Sequence, residues 1–216
     1  MSPPEPPFAT QAQWDERYRS ASRIWSGQPN PHLVAQAAGL TPGTALDVGS
    51  GEGADAIWLA KAGWRVTALD ISPVALERAA DHAAEAGPDV AGRITWRHAD
   101  IAADDPDLGR FDLVTAQFMH LPPDQLAVLH RRLAQAVAPG GTLLVVGHHP
   151  SDLETGVRRP QGPGMLFAAE QVVAALDPAE WQVAVADSRQ RQVPGPDEEP
   201  VTVHDTVVRA VRAAPG

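Results

Sequence analysis

Cysteine is absent from the 216 residues, which excludes disulfides, thiolate metal sites and a cysteine nucleophile. Basic charge is scarce. Seventeen Lys and Arg face 27 Asp and Glu, a formal net charge of −10, so the chain lacks the basic surface that non-specific nucleic-acid or anionic-membrane binding needs. No apolar run approaches the ~20 residues of a membrane-spanning helix. No secretory apolar segment follows Met1, where "MSPPEPPFAT" is proline-rich, and a cytoplasmic location is expected. What remains is an ordinary globular composition, 44% hydrophobic and 20% charged. The length suits one α/β domain with a proper core and is too short for two ordinary ones.

Residues 1–9 hold four prolines and read as a disordered tail. A helical stretch over 10–25 carries Trp14, Tyr18 and Trp25, "SGQPNP" breaks it, and a second helix covers 32–40. From residue 44 strands and helices alternate. Strands are expected at 44–49, 64–70, 93–100, 111–118 and 142–148, each run apolar and bounded by turn residues. Ser72 and Pro73 read as N-cap and first residue of a helix over 73–87. Leu126, Leu129, Leu133 and Val137 share one face of a helix that ends in Pro-Gly-Gly. A polar loop follows residue 148, then a helix over 167–177. Two strand-like runs, 180–190 and 201–212, are joined too tightly for a crossover helix and must pair antiparallel. The expected fold class is α/β: a doubly wound, seven-stranded, mostly parallel sheet closed by a C-terminal hairpin. It forms a single domain over 10–216, with a helical cap (10–43), a cofactor-binding core (44–148), an acceptor-side loop (149–166) and a terminal helix and hairpin (167–216).

In such a sheet ligands sit beyond the carboxyl ends of the strands. The first strand ends in "LDVGSGEG", where Gly49, Gly51 and Gly53 flank Ser50. The spacing is G-x-G-x-G, unlike the G-x-G-x-x-G that seats a pyrophosphate, and Asp47 and Glu52 beside it would repel one. An ammonium or sulfonium would be favoured. The second strand ends in Asp70, followed by Ile71, a carboxylate matched to a ribose diol. The third ends near Asp100 and Ile101, where an acid can accept from an adenine amino group. A cation, a ribose and a purine are together S-adenosylmethionine.

These residues resemble the class I S-adenosylmethionine-dependent methyltransferases, with "LDVGSGEG", "ALD", "HADI", "FDLVTAQFMHL" and "PGGTLLVVGH" as successive motifs over roughly residues 40–150. The N-terminal "WDERYRSASRIWSGQPNPHLV" is similar to the segment that precedes the sheet in the tellurite-resistance and thiopurine-type methyltransferases. That resemblance implies that Trp14, Tyr18, Trp25, Gly27 and Asn30 help to close the cofactor site, with S-adenosylhomocysteine as product. The expected cofactor set is Trp25, Gly27, Asn30, Asp47, Gly49, Ser50, Gly51, Gly53, Asp70, Ile71, Asp100, Ile101 and Gln117.

His120 and His148 follow the fourth and fifth strands at the same rim and are the candidate general bases for a hydroxyl or amine acceptor. His149, Arg158 and Arg159 are candidates for acceptor binding, the arginines for an anionic group. His32, His82, His130 and His204 sit on positions that look exposed and inert. A metal on the rim histidines and Asp152 is not expected. A small-molecule acceptor fits the slight cap and the acidic balance; nucleic-acid and membrane partners do not, and the oligomeric state is not legible. Two alternatives carry the same scaffold: a non-catalytic S-adenosylmethionine- or S-adenosylhomocysteine-binding protein, and an NAD-linked oxidoreductase. Against the latter stand the glycine spacing and the lack of a Tyr-x-x-x-Lys pair, Tyr18 being the only tyrosine.

Overall fold

The computed structural model describes residues 10–102, 106–119, 121–157, 165–195, 197 and 199–214. His120, Arg158 and Arg159 lie outside them, as does the N-terminal tail 1–9. Two short helices, α1 (Gln11–Arg19) and α2 (Pro31–Ala37), lead into β1 (Thr44–Val48), α3 (Ala54–Lys61), β2 (Arg65–Asp70), α4 (Pro73–Glu85), α5 (Pro88–Ala91) and β3 (Ile94–His98). β4 (Phe111–Gln117), α6 (Pro123–Ala136), β5 (Val137–His148), α7 (Ala169–Val173), β6 (Trp181–Pro194) and β7 (Pro200–Arg212) complete the chain. The strands form one seven-stranded sheet in the order β3-β2-β1-β4-β5-β7-β6. β1 to β5 are parallel, and β7 runs antiparallel to both β5 and β6. The expected fold is the observed one.

Strand periodicity builds the two faces. On one, Leu46, Val48, Val114, Leu143, Val145 and Val208 pack under α6 and α7 through Leu126, Leu129, Leu133 and Val172. On the other, Ala45, Leu113, Leu144, Val146 and Val207 pack under α2 and α3 through Leu33, Ala37, Ala56 and Leu59. Successive residues point to opposite sides, so the near-continuous apolar runs feed both cores at once. Ser72 accepts from Ala75 N as the N-cap and Pro73 opens α4, as its sequence signature requires.

Several boundaries differ from the expectation. α1 stops at Arg19, leaving Trp25 in irregular chain, because Ile24 N and Trp25 N donate to Glu52 in the turn after β1 instead of within a helix. A short extra helix, α5, follows α4. Val137 belongs to β5, not to the helix: it pairs with Phe111, and a register shift carries the strand past Pro139–Gly141 to resume at Thr142. Arg110 and Arg212 donate to the carbonyl of Val137, and Arg110 also to that of Gln135, so α6 hands its last carbonyls to guanidinium groups and no connecting turn is needed. α7 keeps only five helical residues, held by burial of Ala169 and Val172. Among the described residues no helix is long and apolar enough to cross a membrane.

None of the four histidines expected to be exposed is so. His130 is 2% exposed, packed edge-on against Phe167, with Nε2 lacking a hydrogen-bond partner. Burial pushes its imidazole down to about 4, from about 6.5 when free. Above pH 6.5 both folded and unfolded states are neutral at this site. Between 6.5 and 4 the unfolded chain binds the proton and the folded one does not, so stability falls as the pH drops. The loss should reach roughly 3 kcal/mol by pH 4. Chemical unfolding from pH 7.5 to 4.5 should show this slope in the wild type and a shallower one in His130→Leu; equal slopes would refute the assignment.

Candidate cofactor and acceptor site

The strand order reverses between β1 and β4, and the crevice beyond their carboxyl ends is the expected ligand position. The chain leaves β1 in three left-handed glycines, Gly49 (φ 74°), Gly51 (φ 52°) and Gly53 (φ 85°). Gly49 N and Ser50 N both donate to Leu69 O, at 2.8 and 3.1 Å, which folds the turn back over β2. At Gly51 a Cβ would stand 3.0 Å from the Tyr18 hydroxyl; at Gly53 it would press on Trp96 and Ala79, at 2.8 and 2.9 Å. Side chains are barred from both positions by conformation and by space.

Four carboxylates around this turn are each committed to donors of the protein. Asp70 accepts from Gly51 N through Oδ2 and from Ser72 N through Oδ1, both at 2.8 Å. Burial raises its pKa, with the Ser72 and Gly51 donors working against the rise. Glu52, read from sequence only as a charge beside the loop, accepts from Ile24 N (3.0 Å) and Trp25 N (3.1 Å) and pairs with Arg78 at 3.1 Å. Asp15 accepts from the Ser72 hydroxyl at 2.5 Å, fixing α1 to the start of α4. Asp55 accepts from Asn30 N at 2.6 Å, and burial lifts its carboxyl to about 6. Asn30 itself caps α2 through His32 N. The N-terminal segment is thereby clamped over the glycine turn, and Trp25 Nε1 donates to Tyr18 OH above it at 3.2 Å. Burial, then the charge of Asp70, pushes the Tyr18 phenol up.

Asp47 is the exception. It is 2% exposed, and Oδ2 has no hydrogen-bond partner. Burial first, then the charges of Asp55 and Asp70, drive its pKa well above the usual carboxylate range. Ser50 Oγ and Gln117 Oε1 are also buried without partners, and Gln117 Nε2 donates to Thr115 Oγ1. Buried polar atoms rarely stay unpaired. Three of them at one switch point, one a carboxylate crowded by like charge, suit a ligand bearing a cation and polar hydrogens. S-adenosylmethionine is such a ligand.

The other expected residues divide. Ile71 and Ile101 flank the turns after β2 and β3; the carbonyl of Ile71 accepts from His98 Nε2 and that of Ile101 from Arg132. Asp100 lies two residues beyond the end of β3 and accepts from Ala102 N, since the strand stops at His98. Gly27 is exposed, and its open side meets Arg23 instead of the glycine turn. His149 caps the 3-10 turn Pro150–Glu154, with Nδ1 engaged by Ser151 N and Oγ. His148 stands at the end of β5, its ring 4.5 Å from that of Phe118. Phe118 carries the described non-glycine residue with positive φ (52°), a strained position of the kind that collects at functional sites. Neither that strain nor the clamp of Glu52 has a signature in the sequence. Among the described residues no cluster of three or more His, Asp or Glu could hold a metal ion.

The seven-stranded order with its C-terminal antiparallel strands is that of the α/β methyltransferase fold. Residues 45–141 match the family described as "Methyltransferase domain". The chain is 33% identical over 126 residues to the 2-heptyl-1-hydroxyquinolin-4(1H)-one methyltransferase of Mycobacteroides abscessus, a match covering 56% of this chain and 54% of that protein. It spans about half the length of the curated relatives it matches. Its structure is similar, with TM-score 0.72 and 25% identity over 95% of this chain and 93% of the other, to one solved for the conversion of a disulfide bond into a thioacetal group during echinomycin biosynthesis. TehB from Haemophilus influenzae shares the fold, with TM-score 0.68 and 17% identity over 94% of this chain and 66% of TehB.

Two outcomes test the geometry. Asp47→Asn removes a crowded buried charge, so its melting temperature should hold or rise while its affinity for S-adenosylhomocysteine falls at least about tenfold, or 1.4 kcal/mol. Calorimetry showing unchanged affinity would take Asp47 out of the ligand site. Glu52→Ala should free the N-terminal segment, seen as trypsin cleavage after Arg23 roughly tenfold faster than in the wild type, a 1.4 kcal/mol change in local opening. Equal cleavage rates would mean that Glu52 does not hold the segment.

Proposed function

We propose that the protein transfers the S-adenosylmethionine methyl group to a small-molecule acceptor. The observation that carries this reading is Asp47, a buried carboxylate with an unpartnered oxygen, crowded by Asp55 and Asp70 at the switch point. A cationic ligand relieves that crowding and a pyrophosphate aggravates it, which argues against NAD.

In this reading Asp47, Ser50 and Gln117 take the amino-acid end of the cofactor. Asp70 takes the ribose: a carboxylate has about four lone-pair sites, and one backbone donor on each oxygen leaves room for a diol. Ile71, Asp100 and Ile101 take the adenine, with Gly49, Gly51 and Gly53 allowing close approach and Trp25 and Asn30 closing the site. When bound, the cofactor supplies a methyl group on a sulfonium, whose carbon–sulfur electron pair leaves with sulfur as the acceptor's lone pair forms the new bond. The protein's share is alignment, exclusion of water and custody of one proton. For an acceptor with an O–H or N–H group, His148 and His120 are the candidate bases to take that proton. Arg158 and Arg159, with His149, would orient an anionic acceptor.

The name of the quinolinone relative supports an acidic hydroxyl acceptor. The N-terminal segment over the glycine turn supports a second reading, in which the acceptor is a thiol or chalcogen oxyanion as its resemblance to the tellurite-resistance and thiopurine-type group implies. A soft nucleophile of that kind needs no base. The test has two stages. Calorimetry should give micromolar binding of S-adenosylhomocysteine and none of NAD; binding of NAD, or of neither, sinks the proposal. A screen of aromatic hydroxyl compounds, thiols and chalcogen oxyanions then follows product mass. With a hydroxyl acceptor, His148→Gln should lower kcat by roughly 100- to 10,000-fold, whereas undiminished turnover of a thiol or oxyanion selects the second reading.

A further inference from the structure

β5 ends at His148, and the residue opposite it on β7 is Asp205. That carboxylate is 1% exposed, and polar groups of three elements face it, those of β6 and α2 within hydrogen-bond distance and that of β5 at ion-pair distance. Arg191 of β6 grips it twice, Nε to Oδ2 at 2.6 Å and Nη2 to Oδ1 at 3.2 Å. His32, at the start of α2, places Nε2 3.1 Å from Oδ2. His148 places Nδ1 3.7 Å from Oδ1.

We infer that Asp205 is a positioning residue for His148, fixing its ring with Nδ1 inward so that Nε2 is the basic nitrogen offered to a protic acceptor. This role rests on the methyltransferase reading above. Three features of the site support it. Burial alone would raise the Asp205 carboxyl, but the His148, His32 and Arg191 groups facing it outweigh that and hold it well below the usual carboxylate range, so it is an anion at working pH. A neutral imidazole that turns one nitrogen to an anion keeps its proton there, and the other nitrogen carries the lone pair. Packing against Phe118, itself held in a left-handed backbone, limits rotation of the ring.

The step assigned to these residues is a single proton transfer. The acceptor's O–H or N–H proton passes to His148 Nε2, the bonding pair stays on the acceptor atom, and the imidazolium later releases the proton to water. While the ring is charged, the Asp205 anion lies beside Nδ1–H. Arg191 fixes the plane of the carboxylate through its two-point contact, and its positive charge keeps the imidazolium from being over-stabilised. His32 joins the same carboxylate to the helix capped by Asn30, which itself is tied to Asp55 beside the glycine turn. The base and the cofactor clamp thus share one rigid frame.

The experiment is long-range proton–nitrogen NMR correlation on histidine-labelled protein, with His148 assigned by comparison with His148→Gln. In the wild type His148 should carry its proton on Nδ1. In Asp205→Asn the carboxamide can donate to Nδ1, and the proton should move to Nε2, the wrong tautomer for a base. A wild-type His148 protonated on Nε2 overturns the inference without any variant. An unchanged His148 signal in Asp205→Asn overturns it as well. Failure of the wild type to bind S-adenosylhomocysteine overturns the methyltransferase reading instead, and calorimetry sees that separately from the tautomer.

Discussion

A carboxylate at the end of β2 holds the site together. Asp70 accepts from Gly51 N with one oxygen and from Ser72 N with the other, so a single buried anion sets the crest of the glycine turn and the start of α4. Charge-assisted hydrogen bonds of this kind are about twice as strong as neutral ones, and here they lock two segments that the Glu52–Arg78 pair also joins. The three left-handed glycines describe a path for the chain; Asp70 selects it.

The acids around the turn sort by what they bind. Glu52 takes two backbone donors of the N-terminal segment, Asp15 takes the Ser72 hydroxyl, and Asp55 takes Asn30 N. Each uses burial to make a hydrogen bond hard to exchange for water, and together they bring α1, the irregular stretch 20–30 and α2 onto the sheet. Asp47 has no such employment for Oδ2. Burial and the two further carboxylates near it disfavour its charge, and a cation placed there would restore it. The charge of the chain is therefore not spread evenly over its surface; a share of it is organised around one crevice.

The C-terminal hairpin does more than close the sheet. By inserting β7 between β5 and β6, the topology brings Asp205 beside the last residue of β5 and Arg191 beside Asp205. Antiparallel pairing puts residues 57 positions apart in one register at the end of β5. The same buried carboxylate reaches His32, so α2 and the C-terminal hairpin are braced against one another.

The alternation of apolar runs with helical stretches, the G-x-G-x-G turn and the acids closing the first two strands were enough to read the fold and to place Asp47, Asp70 and the glycines. Those features are local: strand period, cap residues and glycine conformations are properties of neighbours in the chain. Boundaries failed where partners came from afar. Val137 is a strand residue because Phe111 pairs with it and two arginines absorb the helix carbonyls; Trp25 left the helix because Glu52 supplies its backbone a better acceptor. His130 looked like a surface residue in an amphipathic helix and is core, since α7 and Phe167 cover that face. Glu52, Asp15 and Asp205 could not be told from surface acids by any neighbour in sequence, because the donors that define them stand 26 to 28, 57 and 173 or 14 positions away. Chain-local physics determined the scaffold and the glycine turn; only tertiary structure decided which carboxylates are engaged by donors of the protein and that Asp47 Oδ2 is buried without one.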